Sequence, residues 1–405
     1  MNRREFLTGT LSAAVVAGAS GAKSAEQTST AKPAEPLFAT KPHAQLMAPD
    51  VVALVWETSV EATGRVTWRQ DENAAWREGW WETDGFKDAN DTKHRSVLEG
   101  VDPSRPILFR VHSRAIAENK AYWIKYAGEE ETYEGRLDPF LPDPTAFSFA
   151  MVNDVHAHVD TYPKLLRFLE RPVAFTAFAG DIIRESWSAD YVRRMLIAPL
   201  GDWTEASRAP IWYVRGNHET RAGYARHLRD HLALQHGHYY GAVTFGETRI
   251  VFLDTGEDKE DSHREYFGTV AFDHYLARQT DWLKREVASN AWTQARHRIV
   301  IGHIPPFVRK TGNGQSFDPF QPRLRTLFKV LETAKVSLFC AGHLHRSGFE
   351  APIPERPYPI IIGGGQATDK ISWAQPTLTR VDVSAKGLRI RQWRIDGTLQ
   401  LDQRL

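Results

Sequence analysis

PIWYVRGNHE, residues 210 to 219, is a proline, four apolar or aromatic residues, and then a break at Gly216. A short apolar run bounded by turn residues is the pattern of a buried strand. Directly beyond the break stand an amide (Asn217), an imidazole (His218) and a carboxylate (Glu219). GYARHLRDHL follows with helical spacing, so the unit is strand, polar loop, helix. The same unit recurs along the chain. FSFAMVND precedes YPKLLRFLE, AFTAFAGD precedes ADYVRRMLIAPL, and RHRIVIGH is followed after a loop by PRLRTLFKVLETA. VSLFCAGHLH closes the series. Strands alternating with helices predict a layered α/β domain, helices outside, over residues 145–400. A hairpin-like pair, YYGAVTFG and ETRIVFLDTG, interrupts it, and a β meander ending in GLRIRQWRIDG is expected beyond residue 347.

Upstream the pattern differs. DVVALVWETS, TGRVTWRQ, HRSVLEGV, PILFRVHSRAI and KAYWIKYAG are short β runs between turn signals, with no helical stripe. They predict a small all-β sandwich over residues 39–140. The LPDPT segment at 141–145 marks its end. Residues 26–38, rich in Ala, Ser, Thr and Pro, read as a linker. Residues 1–25 have a basic start (Arg3, Arg4), a mildly apolar run from Leu7 to Ala17, and small residues suited to cleavage. The run is too short and too rich in small residues to span a bilayer, so no membrane span is expected in the mature chain. The paired arginines with Glu5, Phe6 and Leu7 resemble a twin-arginine signal. They imply the bacterial twin-arginine export machinery as a partner and a periplasmic or secreted location.

Composition narrows the classes further. Of 405 residues, 42% are hydrophobic and 25% charged, which is ordinary globular material. The net charge of +1 gives no nucleic-acid patch. Cys340 is the single cysteine, so no intramolecular disulfide forms, and its strand context makes it a small buried hydrophobe.

The chemistry lies at the strand ends. Asn153-Asp154-Val155-His156, Gly180-Asp181, Gly216-Asn217-His218-Glu219, Gly302-His303 and Gly342-His343-Leu344-His345 each close a predicted strand. In α/β sheets the functional crevice lies off the carboxyl ends of the strands. Two carboxylates, four imidazoles and one amide on one edge fit two adjacent metal ions, with Asp181 as the natural bridge. Nitrogen and oxygen donors suit zinc, iron or manganese, in divalent or trivalent form, better than soft copper(I).

Taken in order, Asp154-x-His156, Gly180-Asp181, Gly216-Asn217-His218-Glu219, His303 and Gly342-His343-x-His345 resemble the calcineurin-type metallophosphoesterases. The resemblance covers about residues 147 to 345. It implies a four-layer α/β/β/α sandwich that hydrolyses phosphate mono- or diesters by attack of a metal-bound hydroxide. Asp154, His156, Asp181 and His345 would hold one metal; Asp181, Asn217, His303 and His343 would hold the other. His218 would assist the leaving group, and Glu219 would orient or charge-stabilise His218. The preceding sandwich, with YYGAVTFGETRIVFLDTG and QTDWLKREV, is similar to the purple acid phosphatase-like branch, in which a fibronectin-III-like domain comes first. True members have Asp-x-Gly where His156 stands and Gly-Asp-x-x-Tyr where Arg184 stands. The Tyr ligand to iron(III) is thus missing, and a generic dimetal site is implied. The substrate would be a small phosphorylated molecule.

Alternatives within the enzymes are phosphodiesterases for nucleotides or phospholipids. A different class is a secreted binding module with structural metals, acting through its tryptophans. Arg184, Arg215 and Arg346 adjoin the motifs and have the chemistry to hold phosphate oxygens, although ion-paired surface arginine is the commoner role. His158 reads as a solvated loop residue. His227, His231, His236 and His238 have no acidic or Cys partner that sets a metal geometry and read as a polar loop. Trp76, Trp80 and Trp81 are assigned to sandwich packing. EDKEDSHREYFG, 257–268, is expected to be a loop over the site.

Overall fold

Side-chain alternation along the central strands builds two packed sheets. The computed structural model describes residues 36–309, 316–318, 322–369 and 372–405. The export segment and nearly all of the linker lie outside the described residues. Phe147–Val152, Thr176–Ala179 and Ile211–Val214 are parallel neighbours in one sheet. Thr248–Phe252, His297–Ile301, Leu338–Ala341 and Ile360–Ile362 are parallel neighbours in the other. Successive strand residues point to opposite faces. Accordingly Phe149, Met151, Ala177, Trp212 and Val214 meet Phe252, Ile299, Ile301, Leu338, Cys340 and Ile361 in one central core. Trp212 lies flat on Phe252, centroids 3.8 Å apart and planes at 7°. The alternate residues face helices: Val152, Phe178, Ile211 and Tyr213 on one side, Val251, Val300, Phe339 and Ile360 on the other. This is the expected α/β/β/α sandwich.

The outer layers follow from sequence. A helical run covers Ala189–Val192, a π turn Arg193–Ile197 and Ala198–Ser207, capped by Ser188 accepting from the Tyr191 amide at 3.2 Å. On the far side Phe272–Val287 buries Phe272, Leu276, Gln279, Thr280 and Leu283, a helical stripe. Gly223–His231 coils as 3-10 helix. Past residue 347 the chain divides. Gly348–Glu350 and Ile360–Ile362 complete the second sheet, and Thr377–Ser384, Gly387–Arg394 and Leu399–Arg404 form an antiparallel meander on the first.

The upstream strands are all β. Val51–Ala62 pairs with His43–Ala48 and Asp91–Glu99, while Ile107–Lys120 pairs with Arg65–Arg69 and Trp123–Leu137. The two sets join at one pair, Ala62 and Ala115. The Trp56 indole donates across the core to Ser113 Oγ at 3.0 Å. One feature lacks a sequence signature: Gln45 pairs with Ile211, so the β segment extends the first α/β sheet. The tryptophan cluster follows expectation in part: Trp81 packs against Ala53 and Val55, while Trp80 does not enter the core. Trp76 lies under Arg69 and Arg110, Trp80 under Lys87 and Trp81 under Arg95, so cations cover the rings at the surface. Trp80 is 44% exposed and is no core residue.

His43 and His94 are buried in this segment, and burial is the first cause of pKa values lowered from 6.5 to about 4. Gln45 opposes the shift at His43; Asp88 opposes it at His94. Unfolding restores the ordinary value, so below pH 6.5 the unfolded chain binds protons that the folded chain refuses. The stability these two residues contribute is therefore complete above about pH 6.5 and lost as pH falls toward 4. By pH 5 the expected loss is about 2 kcal/mol per histidine. Urea unfolding at pH 7 and pH 5 measures it, and His43→Leu should remove about half of the acid sensitivity due to this pair.

Candidate dimetal site

The carboxyl ends of both sheets meet along one edge, and hydrogen bonds lock their loops together. The amides of Asp154 and His156 donate to the carbonyls of Gly180 and Asp181, at 3.0 and 2.9 Å. His343 N–H donates to Asp154 Oδ2 at 2.8 Å, and His303 Nδ1–H to the Ala179 carbonyl at 2.9 Å. Every sequence-predicted metal residue is brought to this edge. Asp154, His156 and His345 have ligand atoms within 4.8 Å of one another, and so do Asp181, His303 and His343. His303 Nε2 and His343 Nδ1 lie 3.1 and 3.0 Å from Asn217 Oδ1. Asp181 Oδ2 stands between the two groups, 3.8 Å from His156 Nε2 and 3.1 Å from His303 Nε2.

The backbone is bent to make this possible. Asp154, His156, Asp181, His343 and His345 all have positive φ, between 49° and 70°. For non-glycine residues that conformation costs roughly 1 kcal/mol or more each. Five such residues clustered together indicate strain held for function. Gly180 and Gly216 make the close approach possible. A Cβ on Gly180 would sit 2.4 Å from His303 Nδ1, and one on Gly216 would sit 2.3 Å from Asp181 Oδ1.

The donor atoms fit cations. Asp154 is fully buried and its Oδ1 has no hydrogen-bond partner, although it lies 3.4 Å from His345 Nε2. His345 Nδ1 donates to the Gln366 carbonyl at 2.5 Å, which leaves a lone pair on Nε2. That atom is only 3.0 Å from His156 Nε2. Burial holds the Asp154 carboxyl above its usual range and lowers the His156 imidazole to about 3. Burial opposes charge on Asp181 as well, but His303 outweighs it and keeps that carboxyl well below its ordinary value. Burial likewise works against charge on His303, yet the Asp181 carboxylate raises its pKa to about 10. Buried carboxylates and convergent imidazole lone pairs of this kind call for positive charge among them.

Three expectations need correction or completion. Glu219 does not orient His218. Its carboxylate is buried and accepts the backbone N–H groups of Asp181, Ile182 and Gly216 at 3.0, 2.7 and 2.8 Å, so it fixes the loop that carries Asp181. His218 is oriented by the Arg184 carbonyl, which accepts its Nδ1–H at 2.6 Å, and by Arg221 Nη1 at 3.2 Å from Nε2. Arg184 thus acts here through its backbone, while its exposed guanidinium reaches His158 at 3.4 Å. Arg215 is engaged elsewhere, buried against Asp254 at 2.6 Å.

Several contributors escaped the sequence reading. Arg221 is held by two bonds to Glu257, at 2.9 and 3.0 Å, and Tyr266 also bonds that carboxylate. The 257–268 segment is therefore a loop anchored beside His218 by the buried Glu257. IIIGGGQ, 360–366, closes one more parallel strand. A Cβ on Gly365 would stand 2.3 Å from the Asp154 Cβ, and Gln366 N–H donates to the Asp154 carbonyl at 3.1 Å. A strand followed by three glycines was the available signal. The four downstream histidines diverge: His231 bonds Glu57 at 2.5 Å, and His227 lies 3.3 Å from Asp230. Among the described residues they form no metal-ligating group.

A family model described as calcineurin-like phosphoesterase matches residues 147–347, the segment that holds every one of these residues except Gly365, Gln366 and Glu57. The chain carries a calcineurin-like phosphoesterase domain. By that domain it is a metal-dependent phosphoesterase. No curated protein matches the chain. Among solved structures, the chain is similar to purple acid phosphatase PPD1 from yellow lupin (Lupinus luteus) seeds, with a TM-score of 0.62 and 12% identity. That match covers 89% of this chain and 73% of the lupin one. A structure titled PhoD matches with a TM-score of 0.60 and 12% identity, over 92% of this chain and 93% of that one. At such identity these likenesses establish a shared fold. Among the described residues, no helix is long and apolar enough to cross a membrane.

Proposed function

We propose that the chain is an exported dimetal phosphoesterase acting on phosphate monoesters or diesters. The observation that carries this reading is the position of Asp181 Oδ2 between the His156 and His303 nitrogens, at 3.8 and 3.1 Å. In this reading Asp154, His156, Asp181 and His345 hold one ion, and Asp181, Asn217, His303 and His343 hold the second. Such a pair, when bound, neutralises phosphate charge and lowers the pKa of water from about 15.7 toward about 7.

The chain's own groups do the rest. Glu219 holds the Asp181 loop rigid through three short backbone bonds. The Arg184 carbonyl accepts the Nδ1–H of His218 and so leaves Nε2, on a side chain 25% exposed, to face the leaving oxygen. Arg221 donates to the same Nε2, so proton donation to a leaving oxygen requires both that Arg221 withdraws and that the ring carries a second proton, on Nε2. The Arg184 guanidinium, 3.4 Å from His158 Nε2, is assigned to phosphate oxygens. Export rests on Arg3, Arg4 and the apolar run after them.

One preparation tests the whole reading. Protein recovered from the periplasmic fraction should contain about two metal ions per chain and turn over p-nitrophenyl phosphate or its bis ester. Arg3→Lys/Arg4→Lys protein should stay in the cytoplasm. Bound metal without turnover of any phosphoester would favour the binding-module alternative.

A further inference from the structure

Behind the 218–220 turn lies a cavity of about 600 Å3 that none of the candidate metal residues lines. Thr220 forms part of its wall, two residues after His218. The volume falls within the range of small-ligand sites. Its polar lining is one-sided: Arg215, Arg226, Arg229, Arg278, His236 and His238, with no carboxylate. Tyr239, Phe272 and Tyr275 supply an aromatic wall.

The ordinary role of an arginine is a solvated or ion-paired surface group. In this protein the structural arginines are paired: Arg249 with Glu286, Arg356 with Glu350, Arg221 with Glu257. Within the cavity only Arg215 follows that habit, bound to Asp254 at 2.6 Å. Arg226 donates to the Thr269 carbonyl at 3.0 Å and Arg229 to the Gly237 carbonyl at 3.2 Å. Carbonyls aim a guanidinium without cancelling its charge. Among the described residues, no carboxylate lies within ion-pair distance of Arg226, Arg229 or Arg278. Arg226, Arg229 and Arg278 are exposed, and around one cavity they present guanidinium donors that an anion bound between them can bridge. The field is felt locally: burial first, then Arg229 and Arg278, lower the pKa of His238.

We propose that this cavity is a second anion site, which takes a multiply charged phosphate-bearing molecule apart from the ester group at the dimetal edge. The site stands on its own lining and does not depend on the catalytic reading. Thr220, part of the cavity wall, donates its hydroxyl to the Asn217 carbonyl at 2.7 Å, so the cavity adjoins the dimetal edge. The ligand is either the distal phosphate of a long substrate or a separate molecule.

Equilibrium dialysis of radiolabelled inorganic phosphate against the full, metal-loaded chain tests this. Wild type should bind one more phosphate than Arg229→Gln/Arg278→Gln, whether the dimetal edge binds phosphate or not. Equal counts in the two proteins overturn the proposal. The Arg229→Lys/Arg278→Lys pair keeps the charge and should retain the site, about tenfold weaker through lost bidentate bonds; loss of binding there to the level of the Gln pair in an unfolded protein is separated by circular dichroism, and Arg226→Gln alone must then lower the count. Turnover of p-nitrophenyl phosphate, which has no second phosphate, should change less than about twofold in the Gln pair. A KM rise confined to bisphosphate substrates identifies the distal group as ligand. Unchanged KM for both, with the phosphate count reduced, identifies a separate molecule.

Discussion

Asp181→Asn is expected to leave a folded protein that binds at most one metal ion and turns over phosphoesters at least about a thousandfold more slowly. The substitution keeps an oxygen for the His218 backbone N–H, which now donates to Asp181 Oδ1 at 2.9 Å. It removes the negative charge that lies 3.1 Å from His303 Nε2 and 3.8 Å from His156 Nε2. A neutral amide cannot serve two cations as a shared carboxylate does. In the metal-free protein this carboxylate repels buried Asp154 and Glu219, but it also pairs with buried His303, whose pKa it raises to about 10. Leaving His303 without that partner outweighs the relief, so after chelator treatment the variant should melt below the wild-type temperature. Added metal should then stabilise wild type by about 4 kcal/mol at a thousand times its dissociation constant, and the variant by much less. Elemental analysis and thermal melts measure both. A variant that keeps two tightly bound ions ends the idea of a shared carboxylate.

This contrast shows what a sequence makes legible. Asp154, His156, Asp181, Asn217, His303, His343 and His345 were readable because each closes an apolar strand, and the ends of parallel strands share an edge. Few residue types have the chemistry to hold an ion, so the pattern carries its own meaning. Glu219 misled because chain neighbours were taken for partners. In the 3-10 turn His218–Thr220, consecutive side chains point about 120° apart, so Glu219 turns inward while His218 faces out. The Gln366 carbonyl was illegible for another reason: a backbone acceptor leaves no mark on residue type. Arg221 and Glu257 lie 36 positions apart and meet only after the second sheet packs. The pairing of Gln45 with Ile211 is likewise a tertiary event with no local signal.

His218→Ala should separate holding metal from using it. The imidazole packs edge-on against His156, centroids 4.7 Å apart, with Nε2 4.0 Å from Asp181 Oδ2, but its hydrogen bonds go elsewhere: Nδ1–H to the Arg184 carbonyl, and Nε2 to Arg221. Losing those bonds costs about 1 kcal/mol of stability, and the side chain is already 25% exposed. Two metal ions should therefore remain. Turnover should fall by about 10^2 to 10^4-fold, the usual contribution of a positioned proton donor. The size of the drop must depend on the leaving group. An alkoxide needs its proton, so alkyl phosphates should show the full loss. A nitrophenolate leaves well without help, so p-nitrophenyl phosphate should show much less of it. Equal losses for both esters mean that His218 supplies charge or position and not a proton, and a matching loss of metal means that it is a ligand. Arg221→Gln sharpens the reading, because it frees Nε2 while leaving the imidazole in place. If Arg221 only competes for that nitrogen, the variant keeps the wild-type dependence on the leaving group.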